Sequence, residues 1–498
     1  MAVRERAAGR RTVGAPLCDC PRAPILRWGG MQHDPTSRRG PARHLSLVVL
    51  VGLVASACSD QSPAAPGTDP ALAASYDGYL AALDAAHATV EASPFIRDDA
   101  DRAAGESFVG GIETYALAAA LNLLTEQPLL QLLPDPSQRL GFNNPDNLYY
   151  VTRVSDRDAY TITGKRGTST GFLIQAFSGG LPGNGKDAGA TTASFGDGDL
   201  HLAADGSFAI TLSADRPAQG DWLPLRPGTD NLLVRFTFLD WEHEEPGSIA
   251  IARIGGESAK EVEITPGLAA AMLDDAARST RLQAQFYVDQ ATALTALGPN
   301  FLLGPRKAQG NQGTNVQQWN LVGNYDLGDG QALLVKIKDV PQAKYGDFMS
   351  ATPWLETFEF IHHQVSLDRA QVRVDGDGSI RYVVSARDPG VPNWIDTTGQ
   401  AHGVLFGRWQ EVDGDRGSEY APTLTVLDLS DLRTALPSDT PTVTPEQRSG
   451  ELARRRQLLE ARFRAADPAR TEILRRLHEV ERLLGRSLPV QLREEVLQ

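Results

Sequence analysis

The sequence predicts a mainly β protein with α additions: an antiparallel β-sandwich with helical segments at its N-terminus, in its centre and at its C-terminus. Residues 141–264 and 301–436 show the alternation of apolar and polar side chains that is typical of strands. Turn residues separate these strands, as at Asp205-Gly206, where glycine tolerates the positive φ of a tight hairpin. Apolar residues recur at helical spacing before, between and after the two β regions, so the fold class follows from these changes of period.

The N-terminus predicts export as a lipoprotein. The apolar run at residues 45–54 is too short to cross roughly 30 Å of hydrocarbon, and small residues at 55–57 lead from it to Cys58. This pattern is typical of a signal peptide, residues 1–57, that is cleaved ahead of a lipidated cysteine. We expect translation to begin at Met31, just before the basic flank of the run, and Ser59 favours the outer membrane in an organism with two membranes. A membrane anchor or a short core helix is the alternative.

Cysteine content and charge narrow the chemistry of the mature chain. Cys18 and Cys20 leave with the leader and lipidation would consume Cys58, so neither disulfides nor thiolate chemistry is expected. Without the leader's nine arginines and three acids, the 48 basic and 62 acidic residues become 39 and 59, a net charge of −20. Such a body repels nucleic acid, so no nucleic-acid partner is expected.

A flexible tether, residues 58–70, precedes the first helical segment and the first β region. The tether is rich in serine and proline, which do not pack. The helical segment, residues 71–140, contains helical patterns at 71–90 and 101–124. The first β region, residues 141–264, has predicted strands at 148–154, 159–164, 171–177, 200–202, 207–212 and 232–239.

A helical bridge, residues 265–300, joins the two β regions. Thr265 can cap this helix and Pro266 fits its first turn, while Gly298-Pro299 ends it. The second β region, residues 301–436, has predicted strands at 332–337, 358–363, 371–374, 380–385 and 403–409. The acidic glycine-rich stretch at 375–378 is interpreted as a hairpin turn rather than a calcium loop. A calcium loop needs further oxygen ligands downstream, whereas here a predicted strand follows at once.

The C-terminal tail, residues 446–498, differs from the acidic body. It carries twelve arginines against nine acids, and its apolar residues predict two amphipathic helices that break near Asp467-Pro468. Three interpretations remain open: a helical hairpin docked on the body, a surface for homo-oligomerisation, and contact with an anionic envelope polymer.

Several short motifs occur in the two β regions. They lie at residues 144–149, 158–164, 220–225, 234–236, 240–241, 388–397 and 408–409. These motifs resemble those of the bacterial domain-of-unknown-function 1214 family over roughly residues 140–430. The resemblance implies a β-rich, jelly-roll-like fold, and it offers no agreed activity or catalytic residue to carry over. Residues 71–125 and the basic tail match no pattern of that family.

A cluster of acids beside a tryptophan is the first candidate for chemistry. Glu242, His243 and Glu244 follow Trp241 at the end of a predicted strand, where burial could raise a carboxyl pKa for general-acid work. Asp396 is the fourth weak catalytic candidate. The spacing matches no zinc signature, and neither a phosphate loop nor a nucleophile elbow is present, so no metal and no cofactor are expected.

The segment around Trp394 is the candidate for ligand binding. Asn393, Trp394, Arg408 and Trp409 combine flat aromatic faces with amide and guanidinium groups, which suit a sugar ring. The alternative is structural: Trp394 closes the end of the sandwich while Asp396 pairs with Arg408.

The sequence therefore favours a lipid-anchored envelope protein with a non-catalytic binding or structural role, directed at a glycan or another extended envelope polymer. A carbohydrate-active lyase or hydrolase that uses a carboxylate acid/base is the alternative. A homo-oligomer built through the C-terminal helices is the third hypothesis.

Overall fold

The computed structural model describes residues 67–124, 127–180, 189–256, 262–310, 314–339, 343–412, 420–466 and 469–489. The predicted leader, most of the tether and Cys58 lie outside the described residues. Within these ranges the chain is mainly β with helical additions, as the sequence predicts. The helices are α1 (Pro70–Glu91), α2 (Asp99–Ala120), α3 (Pro266–Thr295), α4 (Leu432–Ala435), α5 (Pro445–Ala465) and α6 (Arg470–Leu484).

The first nine strands form two sheets. Sheet A has the order β1-β2-β8-β4-β5 and sheet B the order β7-β6-β3-β9. All neighbours are antiparallel except β6 and β7. The strands are β1 (Gln131–Leu132), β2 (Asn147–Arg153), β3 (Tyr160–Lys165), β4 (Gly171–Ser178), β5 (Ala190–Gly196), β6 (Ser207–Ser213), β7 (Asp221–Pro224), β8 (Thr229–Thr237) and β9 (Ser248–Arg253).

The next nine strands form two more sheets. Sheet C has the order β10-β11-β17-β13-β14 and sheet D the order β16-β15-β12-β18. Here β15 and β16 are the parallel pair. The strands are β10 (Phe301–Lys307), β11 (Gln318–Asp326), β12 (Gln331–Lys338), β13 (Ala343–Ala351), β14 (Ser366–Asp368), β15 (Ser379–Ser385), β16 (Trp394–Asp396), β17 (His402–Val412) and β18 (Thr423–Asp428).

The second set of nine strands repeats the topology of the first. Adding nine to each strand number converts the order of sheet A into that of sheet C, and the order of sheet B into that of sheet D. Each set also has one parallel pair at the same place. The described body is therefore two copies of one nine-stranded unit joined by α3.

The repeat is visible in the sequence at one hairpin and the strand that follows it. Asp-Gly-Ser occurs at 205–207 and at 377–379, Ser-Ala at 213–214 and at 385–386, and a tryptophan follows at 222 and at 394. Trp222 Nε1 donates to the Ser213 carbonyl at 3.2 Å, and Trp394 Nε1 donates to the Ser385 carbonyl at 3.0 Å. The same chemistry therefore ties each parallel strand to its neighbour.

Within each unit the two sheets pack face to face. Phe172 of sheet A meets Phe208 of sheet B with ring centroids 5.5 Å apart, and Phe348 of sheet C meets Tyr382 of sheet D at 4.7 Å. Sheets A and C bury their second faces as well, in a cluster that includes Leu233 and α2 and α3 side chains. Because successive strand residues point to opposite faces, a strand buried on both sides shows little alternation.

Helices α1, α2 and α3 pack against one another beside these inner faces. α3 begins as predicted, with the Thr265 side chain accepting from Leu268 N at 3.2 Å. Among the described residues one stretch, Asp99–Leu124, is long and apolar enough to span a membrane, but most of it is buried in the fold, as in a core helix. Asp101 on this helix ties it to sheet C through His402 Nε2 at 2.7 Å.

Helix α5 docks through three arginines as well as through apolar residues such as Leu459 and Phe463, which are buried in the main core. Arg448, Arg455 and Arg462, here called the arginine ladder, are seven residues apart and therefore share one face of the helix. Their guanidinium groups lie 5.4 Å from the Trp394 ring centroid, 4.6 Å from Trp241 and 4.3 Å from Phe238, respectively. Since Trp394 belongs to the second unit and the other two rings follow β8 of the first, α5 contacts both units. α6 packs with α1 and α3.

Three predicted strands are wrong. Residues 200–202 follow a helical turn and are largely exposed. Residues 358–363 form no strand, because Glu359 accepts from the Ile361 and His362 amides at 2.8 and 2.9 Å and folds the segment on itself. Residues 371–374 follow a turn in which Asp368 Oδ1 accepts from Ala370 N and Gln371 N, and only Val374 makes an isolated bridge. Side-chain capping of the backbone outweighs apolar pattern in the last two segments.

Candidate functional site

A cavity of about 360 Å³ lies between sheets A and C and is covered by α3; it is called the central cavity below. Strands β2 and β8 form one wall, β11 and β17 form the other, and residues 133–143 contribute an edge. Its described lining includes two arginines, eight asparagine or glutamine side chains, three tyrosines and three phenylalanines. Aspartate, glutamate, histidine, serine and cysteine do not occur among those lining residues.

Arg235 is placed in the central cavity by the alternation of β8. Its neighbours Val234 and Phe236 point into the core between sheets A and B, so Arg235 points to the opposite face. Its guanidinium donates to Gln175 Oε1 and lies 5.7 Å from the Tyr149 ring centroid. Burial lowers the pKa of Arg235 to about 10, and the neighbouring positive charge of Arg408 acts in the same direction.

Arg408 occupies the opposite wall. It follows Phe406 by two residues on β17, so both side chains face the cavity, and it is only 4 % exposed. Its Nη2 donates to the Phe142 carbonyl at 3.1 Å, and its Nε lies 3.2 Å from Asp347 Oδ1. Asp347 is the residue paired with Arg408 on the adjacent strand β13. Burial raises the pKa of Asp347 to about 7, although the charge of Arg408 opposes that rise.

One edge of the cavity has backbone conformations that residues other than glycine rarely adopt. Phe142 has φ 56° and Leu355 has φ 65°, both in the left-handed region. Phe142 N donates to the Leu355 carbonyl at 2.9 Å, and the Phe142 ring stacks on Phe406 at 4.5 Å. Such conformations persist where the surrounding structure imposes them, and they are concentrated at ligand-binding sites.

A chain of buried hydrogen bonds runs from the cavity wall toward α5. Tyr149 accepts from Asn144 N at 3.1 Å, and Asn144 Nδ2 donates to Tyr345 Oη at 2.6 Å. Tyr345 donates to Asp146, which also accepts from Trp241 Nε1 at 3.0 Å. Burial raises the pKa of Asp146, opposed by the hydrogen bond from Tyr345. The chain fixes the position of the Tyr149 hydroxyl.

The predicted acidic cluster lies at a second cavity of about 770 Å³, formed between the body and α5 and here called the α5 cavity. Glu242 lines it and pairs with Arg454 of α5 at 3.0 Å. His243 is exposed and its Nδ1 lies 2.8 Å from Asp240. Glu244 accepts from the backbone amides of residues 170 and 239 at 3.1 and 3.0 Å, so it holds two segments together.

The residues predicted around Trp394 do not form one open cleft. Trp394 is buried under Arg448, and Asn393 exchanges two 2.8 Å hydrogen bonds with the backbone of Arg373. Trp409 points into the core between sheets C and D. Of the four predicted ligand-binding residues, Arg408 alone is among the described residues that line the central cavity.

The ion pair suggested between Asp396 and Arg408 is wrong. Asp396 is buried, and its Oδ2 lies 2.8 Å from His363 Nδ1. The hydrogen bond to Asp396 raises the pKa of His363. Arg408 lies beside Asp347 instead, because its strand β17 pairs with β13 rather than with β16. No group of three or more candidate metal-ligating side chains occurs in the described part of the chain.

Comparison with known proteins supports the family resemblance over one segment. Residues 180–238 match the family model described as protein of unknown function (DUF1214). The chain resembles DUF1214 proteins over that segment. The DUF1214 segment covers β5 to β8 and therefore includes Arg235. No curated protein sequence matches the chain.

Two solved structures resemble the chain. An uncharacterized protein from Burkholderia cenocepacia is 25 % identical, with a TM-score of 0.67, and the match covers 72 % of this chain and 98 % of that protein. A protein from Vibrio parahaemolyticus is 12 % identical, with a TM-score of 0.37, over 65 % of this chain and 99 % of that protein. The first shares the overall fold, whereas the second is too dissimilar to support any conclusion.

Sequence reasoning did not identify Arg235 as a site residue, although the signal was present. Arg235 is the one charged residue in the apolar run 232–239, just as Arg408 is in 403–409. A charge within a strand that is apolar on both faces indicates a polar site inside the protein.

Proposed function

We propose that this DUF1214 relative is a lipid-anchored envelope protein that binds a small ligand in the central cavity without converting it. The proposal rests on the residues that line the cavity. It joins apolar and aromatic surface with a few convergent polar groups, and its size is at the lower end of the range of about 300–1,000 Å³ typical of small-molecule sites. Each nine-stranded unit is proposed to be a jelly-roll-like sandwich.

The same lining favours binding over catalysis. General acid/base and nucleophilic catalysis most often use carboxylate, histidine, lysine, serine or cysteine side chains, and none of these is among its described lining residues. Burial raises the pKa of Tyr115 and Tyr287, two of the three lining tyrosines, above its ordinary value, so neither serves as a base.

A glycan is the ligand class that suits these groups best. Amide side chains such as Asn143, Gln318 and Gln410 both donate and accept, as hydroxyl groups require. The stacked rings of Phe142 and Phe406 offer a flat apolar face for a sugar ring. The glycan-binding site is therefore proposed in the central cavity rather than at Trp394.

A cavity-filling variant tests the proposal. Leu294 on α3 lines the cavity, so Leu294→Trp should occupy space that a ligand needs and weaken sugar binding at least tenfold in calorimetry. Leu282→Trp is the matched control, because Leu282 is an exposed residue of the same helix outside the described lining, and it should bind as the unaltered protein does. Equal binding by all three proteins would place the site elsewhere.

The carbohydrate-active lyase or hydrolase remains the alternative, with Glu242, Glu244 and Asp396 as its acids. Turnover of a polymer that is lost in Glu242→Gln would overturn the non-catalytic proposal. Anchoring through Cys58 is a separate part of the proposal, and intact-mass measurement of the membrane fraction tests it.

A further inference from the structure

The central cavity places two positive charges in a space whose described lining contains no acidic side chain. Arg235 and Arg408 come from β8 and β17, which are corresponding strands of the two repeated units. Their side chains are 9 % and 4 % exposed. In such a low-dielectric setting each charge acts on the other far more strongly than it would in water.

The arginines hold contacts that keep them directed at the cavity. Arg235 donates to the neutral amide of Gln175, whose own Nε2 donates to the Thr314 carbonyl at 3.0 Å. Arg408 donates to the Phe142 carbonyl at 3.1 Å. These contacts fix the two guanidinium planes, together with Asp347, whose Oδ1 lies 3.2 Å from Arg408 Nε on the side of β13.

The mutual influence of the two charges favours an anion between them. Burial lowers the pKa of Arg235, and the charge of Arg408 lowers it further. A bound anion would relieve both effects at once. Guanidinium groups bind carboxylates through two parallel hydrogen bonds, which adds geometric selectivity to the charge.

We propose that the central cavity selects an acidic sugar, with Arg235 and Arg408 binding the carboxylate of a hexuronate. This inference rests on the proposed glycan-binding function and specifies its ligand class. The sugar ring then lies on the stacked rings of Phe142 and Phe406, and the lining amides contact its hydroxyl groups.

Paired sugars that differ only at the carboxylate give the decisive test. Galacturonate and galactose, and glucuronate and glucose, are titrated into the purified protein by calorimetry. Each acid should bind at least tenfold more tightly than its neutral partner, because hydrogen bonds to charged groups are the stronger ones. Arg235→Gln should narrow the difference in affinity between the acid and its neutral partner at least threefold, because one of the two guanidinium groups is lost, and Arg235→Lys should lie between.

Arg216→Gln is the control, because Arg216 is an exposed arginine over the Trp222 ring, 5.6 Å from its centroid. It should leave every affinity unchanged. Equal affinity for acid and neutral sugars would overturn the inference and leave the proposed function standing. If neither member of any pair binds, the glycan function itself fails and the inference fails with it.

Discussion

Replacing Arg462 by alanine should lower the free energy of unfolding by roughly 3–5 kcal/mol. Arg462 is 6 % exposed and lies 4.3 Å from the Phe238 ring centroid. The buried acids Asp146 and Asp368 both act on it electrostatically. Removing one member of a buried charge cluster is costly, because the charges that remain are left in a low-dielectric environment without compensation. The urea midpoint measures the loss.

Arg464→Ala is the matched control on the same helix. Arg464 is exposed, so its loss should change the stability by no more than about 0.5 kcal/mol. Arg462→Met adds a charge-specific readout. Its destabilisation should shrink as the pH is lowered, since burial raises the pKa of Asp146 and of Asp368 and protonation removes their charge. Equal stability of the two alanine variants would show that α5 docks through its apolar contacts instead.

The stability of the protein should fall as the pH rises from about 4 to about 7. Burial raises the pKa of Asp347 to about 7 in the folded chain, from its ordinary value of 3.8. Between these values the folded state holds a proton that the unfolded state has lost. The contribution is therefore complete below about pH 4 and is lost as the pH rises through 7, with an upper bound of about 4 kcal/mol at 1.36 kcal/mol per pKa unit.

Glu113 adds to the same slope, because burial raises its pKa to about 7 as well. Asp347→Asn should remove the Asp347 part of the slope. The stability of the variant should come closest to that of the unaltered protein near pH 4 and exceed it by most at pH 8, where the buried carboxylate of the unaltered protein is ionised. Urea midpoints at intervals between pH 5 and 8 measure the difference.

Asp377→Asn is the control for this experiment. The hydrogen bond from Arg381 holds the pKa of Asp377 below its ordinary value, so this carboxylate is ionised in both states throughout that range. Its substitution should leave the slope unchanged. A slope that is the same in Asp347→Asn as in the unaltered protein would contradict the assignment to Asp347.

The helices could be predicted from sequence with good accuracy, and the strands less well. Residues at helical spacing predicted α1, α2 and α3, and caps such as Thr265 marked where they begin. Strands such as β5 and β9 were not predicted. A short half-exposed strand is stabilised by pairing with the neighbouring strands of its sheet, and its own apolar and polar residues show no clear alternation. Two of the three incorrect strands, at 358–363 and 371–374, failed for the converse reason, since local capping can fold an apolar run into a turn.

The repeat and the central cavity were the larger omissions. The shared Asp-Gly-Ser, Ser-Ala and tryptophan positions near 205–222 and 377–394 indicate two units, but these matches are short and lie far apart in the chain. The cavity depends on how sheet A meets sheet C, and residues as distant as Arg235 and Arg408 approach it from different units. Sequence spacing carries no information on that approach, so Arg408 was assigned to Asp396 when its neighbour in the sheet is Asp347.

A crystal structure of the protein with bound galacturonate tests the central claim most directly. The account predicts the sugar between sheets A and C, with its carboxylate within hydrogen-bonding distance of both Arg235 and Arg408. Galacturonate found in the α5 cavity beside Asp240 and Glu242, with the central cavity empty, would contradict it.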